Sequence, residues 1–93
     1  MKEAEKLLIL KRDLQLRTSS NDEYLSFLLS GAKKLIEQEG ITLIDGDTNC
    51  DMAQIQYAAY LFRRRGGEET SMPRFLRYEL NNLLFSQKGR VDT

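Results

Sequence analysis

One stretch decides the fold: residues 51–65 read DMAQIQYAAYLFRRR. Its apolar side chains recur at the spacing of one helix face: Met52, Ile55, Ala59 and Phe62, widened by Ala58 and Leu61, with Tyr57 and Tyr60 on the flanks. Gln54 and Gln56 are the strongly polar residues between Met52 and Phe62. A helix that is apolar over most of its circumference is usually buried. We therefore predict a central helix over about 51–65, on which the other helices pack.

The end of this helix is marked clearly in the sequence. Arg63, Arg64 and Arg65 place cations where the helix dipole is negative, and Gly66-Gly67 follows them. Cations in the last turn and glycine just beyond it are typical of a helix C-terminus.

Three further helices are predicted around the central one. The first runs from Met1 to about Leu14, with Ala4, Leu7 and Leu8 forming an apolar stripe that Leu10 and Leu14 extend. The second runs from about Asn21 to Gln38. Ser20 or Asn21 is its predicted cap, and Glu23 stands at the capping-box position after Ser20. The fourth opens at Met72-Pro73 and ends near Ser86, with a seam of leucines: Leu76, Leu80, Leu83 and Leu84.

The connections between these helices are polar or turn-like. Ile41, Leu43 and Ile44 are predicted to tuck the start of a ten-residue loop against the core, and Thr48 or Asn49 is the predicted cap of the central helix. Residues 66–71 are predicted to be a mobile polar loop. Residues 87–93 are predicted to form a flexible C-terminal tail. The predicted fold class is all-α, a small bundle of about four helices in a single domain over residues 1–93.

Composition indicates one soluble globular domain. The chain has 93 residues, of which 41% are hydrophobic and 30% charged, as in ordinary globular proteins. Its longest apolar run is six residues, 57–62, so we expect neither a membrane span nor a secretory signal. A domain this short buries a modest fraction of its surface, and its stability is expected to depend partly on a partner or on copies of itself.

The net charge of zero conceals an uneven distribution. Residues 1–18 carry five Lys/Arg and three acids, residues 19–56 carry two against seven, and residues 57–90 carry seven against three. An acidic middle and a basic second half permit head-to-tail association, in which the basic face of one copy meets the acidic face of the next. Two solvated faces of a monomer explain the same pattern.

The sequence offers little for catalysis. It contains no His and one Cys, so Cys50 has no imidazole to activate it and is interpreted as a structural, half-buried residue. Asp45, Asp47 and Asn49 resemble the start of a calcium loop, but Cys50 stands where that loop needs Gly, and Gln56 stands where it needs Glu. Turn and cap chemistry explains these residues without a metal. We therefore expect no enzyme activity, no metal and no cofactor.

The candidate contact residues are five arginines, called here the arginine set: Arg63, Arg64, Arg65, Arg74 and Arg77. Arg74 and Arg77 are neighbours on one helix face. Three interpretations remain open for the arginine set: a patch that pairs with carboxylates of a protein partner or a second copy, a nucleic-acid contact, and a solvated surface.

Two segments resemble a known family. They read Tyr60-Leu61-x-Arg63-Arg64-Arg65 and Met72-Pro73-Arg74-x-Leu76-Arg77-Tyr78-x-Leu80-Asn81-Asn82-Leu83-Leu84-Phe85. In these segments, and in the layout of its helices, the chain resembles the small head–tail connector (adaptor) proteins of tailed bacteriophages and prophages.

The resemblance implies a structural, non-enzymatic role at the head–tail junction of a virion assembled in a bacterial host cytoplasm. It implies a ring homo-oligomer, of which a dodecamer is one form, below the portal protein. The ring would extend the DNA channel, let DNA pass without sequence-specific binding, and offer a platform to the next neck or tail component. The alternative from the residues themselves is a small helical DNA-binding or regulatory module that uses the arginine set.

Overall fold

The computed structural model describes residues 1–67 and 71–91, with side chains up to residue 88. Its elements are four helices: α1 (Glu3–Asp13), α2 (Asp22–Gln38), α3 (Thr48–Arg65) and α4 (Arg74–Val91). Helix α3 packs on each of the other three and most extensively on α2, while α1 also contacts α2. The predicted all-α bundle around a central helix is confirmed. Within the described ranges, no helix is long and apolar enough to cross a membrane.

Helix α3 is buried nearly all round. Its buried side chains include Ile55, Ala58 and Ala59 from the predicted apolar face, and also Asp51 and Gln54. Leucines and isoleucines of the other helices close over it, with Leu25, Leu29 and Ile36 of α2 fully or almost fully buried. Removal of this apolar surface from water is the main stabilising term of the bundle.

The capping predictions need correction. Asp47 is the N-cap of α3, because its Oδ1 accepts hydrogen bonds from the backbone N–H groups of Asn49 at 2.9 Å and Cys50 at 3.3 Å. Thr48 and Asn49, the predicted caps, lie inside the first turn. At α2 the N-cap is Asn21, one of the two predicted residues, although its side chain makes no cap bond. The predicted capping box is wrong, because Ser20 lies outside the cap and its hydroxyl is 2.9 Å from that of Thr18.

The apolar stripe of α1 differs from the predicted one. Leu10 is fully buried, and Leu7 and Leu14 pack against the core, which is a stripe at spacing i, i+3 and i+7. Leu8 is 52% exposed because it points away from this stripe, and Ala4, at the margin of the stripe in the first turn, is also exposed.

The two loops of the second half follow the predictions in part. Ile41 is buried as expected, but Ile44 is 40% exposed. Gly67 has a φ of +80° directly after α3, a conformation that glycine adopts without strain. Residues 68–70 of the predicted mobile loop lie outside the described residues.

Helix α4 is longer than predicted. The sequence places its end near Ser86 and a tail over 87–93, whereas the helix continues to Val91; residues 92–93 lie outside the described residues. Gln87 explains part of this extension. Its side-chain amide accepts from the Thr42 N–H at 2.8 Å and donates to the Thr42 carbonyl at 2.6 Å, which fixes the end of α4 on the α2–α3 loop.

Candidate interaction surfaces

The structure divides the arginine set among different contacts. Arg63 bonds to the end of α1, with its Nη2 at 3.2 Å from Oδ2 of Asp13 and 3.4 Å from the Asp13 carbonyl oxygen. This pair ties the last turn of α3 to the last turn of α1. Arg63 therefore has a contact within its own chain and is only half exposed.

Arg65 lies over two aromatic rings, one at the start of α2 and one in the last turn of α3. Its guanidinium carbon is 4.7 Å from the ring centre of Tyr24 and 5.8 Å from that of Phe62. Tyr24 in turn stacks on Phe27, with ring centres 6.5 Å apart. A guanidinium in this position is attracted by the ring quadrupole, so Arg65 also has a partner inside the monomer.

Arg77 forms a bidentate ion pair with Glu39. Nη1 lies 2.6 Å from Oε1 and Nη2 lies 3.1 Å from Oε2. The bond to Glu39 raises the pKa of Arg77 above its ordinary value. The pair joins α4 to the end of α2. It depends on the planar fork of the guanidinium, which arginine provides and lysine does not.

Three members of the arginine set are exposed on the surface: Arg64, Arg65 and Arg74. Arg64 and Arg74 are exposed, and neither forms an ion pair with another of the described residues. Arg64 and Arg77 both lie close enough to Tyr57 to act on it. Burial and the charge of Glu39 raise the pKa of Tyr57, and the two arginines partly offset this rise. Arg63, Arg65 and Arg77 thus have partners within the chain, and Arg64 and Arg74 are the exposed arginines without an ion pair or ring contact among the described residues.

A second surface, which the sequence did not single out, lies on α4. Its three aromatic side chains, Phe75, Tyr78 and Phe85, are 59%, 70% and 70% exposed. They stand at i, i+3 and i+10, so they share one side of the helix. We call these three residues the aromatic face of α4.

A third surface is acidic and lies in a depression. Glu3 and Glu5 of α1 and Asp45 of the α2–α3 loop line a hollow of about 730 Å³. Lys2 and Lys6 also line it, but the Lys6 ammonium is turned to Asp51, 3.6 Å away. We call Glu3, Glu5 and Asp45 the acidic edge.

A buried polar network joins three helices. Lys6 of α1 donates to Oε1 of Gln54 at 2.7 Å, and Gln54 donates through Nε2 to the Leu29 carbonyl at 2.9 Å. Asp51 lies 3.6 Å from the Lys6 ammonium and 3.2 Å from the amino group of Met1. The sequence signal for this network is the presence of polar residues on an otherwise apolar helix. Because its groups satisfy one another, it orients α1 and α2 on α3.

The remaining chemistry is structural. Cys50 is 2% exposed, and its Sγ lies 3.8 Å from the Thr42 carbonyl oxygen, so it is more deeply buried than predicted. Asp47 uses its carboxylate to cap α3. Among the described residues no group of three or more His, Cys, Asp or Glu could hold a metal ion.

Within the described residues the fold is a small bundle of four helices. It presents two outward-facing surfaces, the aromatic face of α4 and the acidic edge. Comparison with protein-family models, with curated proteins and with solved structures finds no match for this chain.

Proposed function

We propose that this chain is a structural subunit that associates head to tail into a ring, of the type represented by the head–tail connector proteins of tailed bacteriophages. The resemblance in the segments around Arg63–Arg65 and Pro73–Phe85 supports the class. The observation that carries the proposal is the placement of exposed charges of opposite sign on different elements. Arg64 and Arg74 lie at the end of α3 and the start of α4, whereas the acidic edge lies at the start of α1 and on the α2–α3 loop.

Separated surfaces of opposite charge suit a heterologous contact. In such a contact each copy uses one surface towards one neighbour and the other surface towards the next. A ring forms when the rotation per copy closes, and electrostatic complementarity fixes the register of the contact. In a virion this ring would lie below the portal protein, carry the next neck or tail component, and surround passing DNA without reading its sequence.

A charge-reversal experiment tests the role of the exposed arginines. The variant Arg64→Glu with Arg74→Glu is compared with the matched control Lys33→Glu with Lys34→Glu, which reverses two exposed cations of α2. Both variants should retain wild-type helicity by circular dichroism, because none of these four side chains has an ion pair with a described residue. The arginine variant should lose assembly in light scattering, and the lysine control should keep it. Equal assembly by both variants would contradict the role of Arg64 and Arg74.

A DNA-binding module is the second candidate. It is favoured by the charge of α4, where Arg74 and Lys88 are exposed beside three aromatic rings and the single acid, Glu79, is half-buried. Binding of duplex DNA that weakens steeply with salt would support it. Absence of any binding in fluorescence anisotropy at low salt would eliminate it.

A further inference from the structure

The aromatic face of α4 has the character of a contact surface. Exposed apolar side chains scattered singly are normal on soluble proteins, and Leu8, Phe27 and Ile44 lie on three different elements. Phe75, Tyr78 and Phe85 are instead three large rings on one side of one helix. The exposed Asn81 and Asn82 stand between Tyr78 and Phe85, so the rings are separate anchors, and aromatic anchors dominate the energetics of many interfaces.

The charge around this face selects an acidic partner. Arg74 and Lys88 are exposed at its two ends, one helical turn before Tyr78 and one turn after Phe85. Glu79 is the one acidic residue of α4, and it is half-buried on the side that faces Asp47 and Asn49 across a groove. A surface approaching the aromatic face therefore meets two cations and no exposed carboxylate of α4.

The same chain contains a surface with the complementary properties. The acidic edge lines a shallow, open hollow that also includes the exposed Lys2, so its three carboxylates outnumber one exposed cation. Apolar side chains lie beside its acids: Ile44, 40% exposed, precedes Asp45, and Leu8, 52% exposed, lies one turn after Glu5 on α1. Charge and apolar character are therefore complementary to those of the aromatic face.

We propose that the aromatic face of α4 docks into the acidic edge of a second copy of this chain. This inference rests on the proposed self-association and assigns its two contacting surfaces. Tyr78 and Phe85 supply the apolar contact with Leu8 and Ile44 of the neighbour. Arg74 and Lys88 face the carboxylates of the acidic edge. Because the two surfaces are different, each copy keeps one of them available for the next, as a growing ring requires.

A second copy fits this face better than a nucleic acid does. Tight binding to duplex DNA draws on several phosphate contacts, and the aromatic face is flanked by two exposed cations within the described residues. The chain as a whole has a net charge of zero, so it has no general attraction for a polyanion.

Mixing two variants tests the pairing of the surfaces. The face variant has Phe75→Ala, Tyr78→Ala and Phe85→Ala; the edge variant has Glu3→Lys, Glu5→Lys and Asp45→Lys. Each should be a monomer alone, with self-association weakened at least about tenfold. Their mixture should give a one-to-one heterodimer in native mass spectrometry, since it retains one intact face and one intact edge and cannot grow further. A matched single control compares Phe85→Ala, expected to weaken association, with Phe27→Ala, expected to leave it unchanged; both rings are 70% exposed.

Several outcomes would overturn this docking, and they separate it from the proposed function. If the wild-type protein forms rings and the face variant forms them equally well, the docking is wrong and ring assembly stands. If the mixture stays monomeric, the acidic edge is not the partner of the aromatic face. If the wild type forms dimers or open chains through these surfaces but no ring, the docking stands and the ring does not. NMR spectra distinguish a second copy from nucleic acid. If the amide signals of α4 shift when duplex DNA is added but not when the protein concentration is raised to about 1 mM, the partner of the aromatic face is nucleic acid and the docking is wrong.

Discussion

The guanidinium of Arg77 and the carboxylate of Glu39 meet in two parallel hydrogen bonds, which join the first turns of α4 to the residue that ends α2. Helix α4 packs mainly on α3, with Leu76 and Leu80 fully buried. A second polar contact holds its other end, where Gln87 bonds to both backbone groups of Thr42. These two contacts orient α4 on the bundle and thereby set the direction in which its aromatic face points.

The first prediction concerns the Arg77–Glu39 pair. Its side chains are 43% and 29% exposed, so solvent screens the charges, while the bidentate geometry strengthens the bond. A double-mutant cycle of Arg77→Ala and Glu39→Ala should give a coupling of about 1 kcal/mol in the free energy of unfolding at low salt. The coupling should decrease in 1 M salt, where the Debye length is about 3 Å. A coupling of zero by urea denaturation would mean that the pair does not hold α4.

The second prediction concerns Gln87. Replacement by Ala should lower the free energy of unfolding by about 1 kcal/mol, because two hydrogen bonds to Thr42 are lost. Hydrogen exchange of the Thr42 amide should accelerate. Gln87→Glu is the control, since it keeps the acceptor for the Thr42 N–H and removes the donor to the Thr42 carbonyl. Unchanged exchange at Thr42 in the alanine variant would show that the end of α4 does not contact the loop.

The third prediction separates the observed cap of α3 from a predicted one. Asp47→Ala should lower the free energy of unfolding by about 1 kcal/mol, as is usual for loss of an N-cap. Thr48→Ala should change it by less than about 0.5 kcal/mol, because Thr48 is exposed in the first turn. Thermal unfolding of both variants measures the difference. A larger loss from Thr48→Ala would contradict the assignment of Asp47.

The fourth prediction is a pH dependence at Glu79. Partial burial raises the pKa of Glu79 above its ordinary value of 4.5. The ionised form is therefore disfavoured in the folded state, and this cost is absent below the unfolded pKa and complete above the folded pKa. Glu79→Gln should raise the free energy of unfolding at pH 7 by less than about 1 kcal/mol, since solvent reduces the effect. The gain should vanish below about pH 4. Greater stabilisation by the substitution at low pH would reverse the sign of this argument.

The sequence predicts the helices well because their apolar spacing is strong. In α2 the apolar residues Leu25, Leu28, Leu29, Ala32 and Ile36 recur at helical spacing, and all of them are buried. Predictions of individual capping residues fail where several neighbouring residues are chemically equivalent. Asp47, Thr48 and Asn49 can all cap a helix, and the backbone path of the preceding loop decides among them. The stripe of α1 is misplaced for a similar reason, since Leu7, Leu8 and Leu10 allow more than one apolar side.

The candidate surfaces are less predictable because they depend on tertiary pairing. Arg63 and Arg77 look available in the sequence, but their partners Asp13 and Glu39 are 50 and 38 positions away. The exposure of Phe75 and Phe85 depends on the rotation of α4 about its own axis where it packs on α3. The spacing of the leucines in α4 does not by itself determine this rotation. Gln87 belongs to a polar stretch, and its contact with Thr42 spans 45 positions.

The measurement that tests the central claim most directly is size-exclusion chromatography with light scattering on concentrated wild-type protein, followed by negative-stain electron microscopy of the peak. We expect one uniform species of many copies, with closed rings in the images, and its mass divided by 10.8 kDa gives the copy number. A mass of 10.8 kDa at every concentration, with no rings in the images, would contradict self-assembly into a ring.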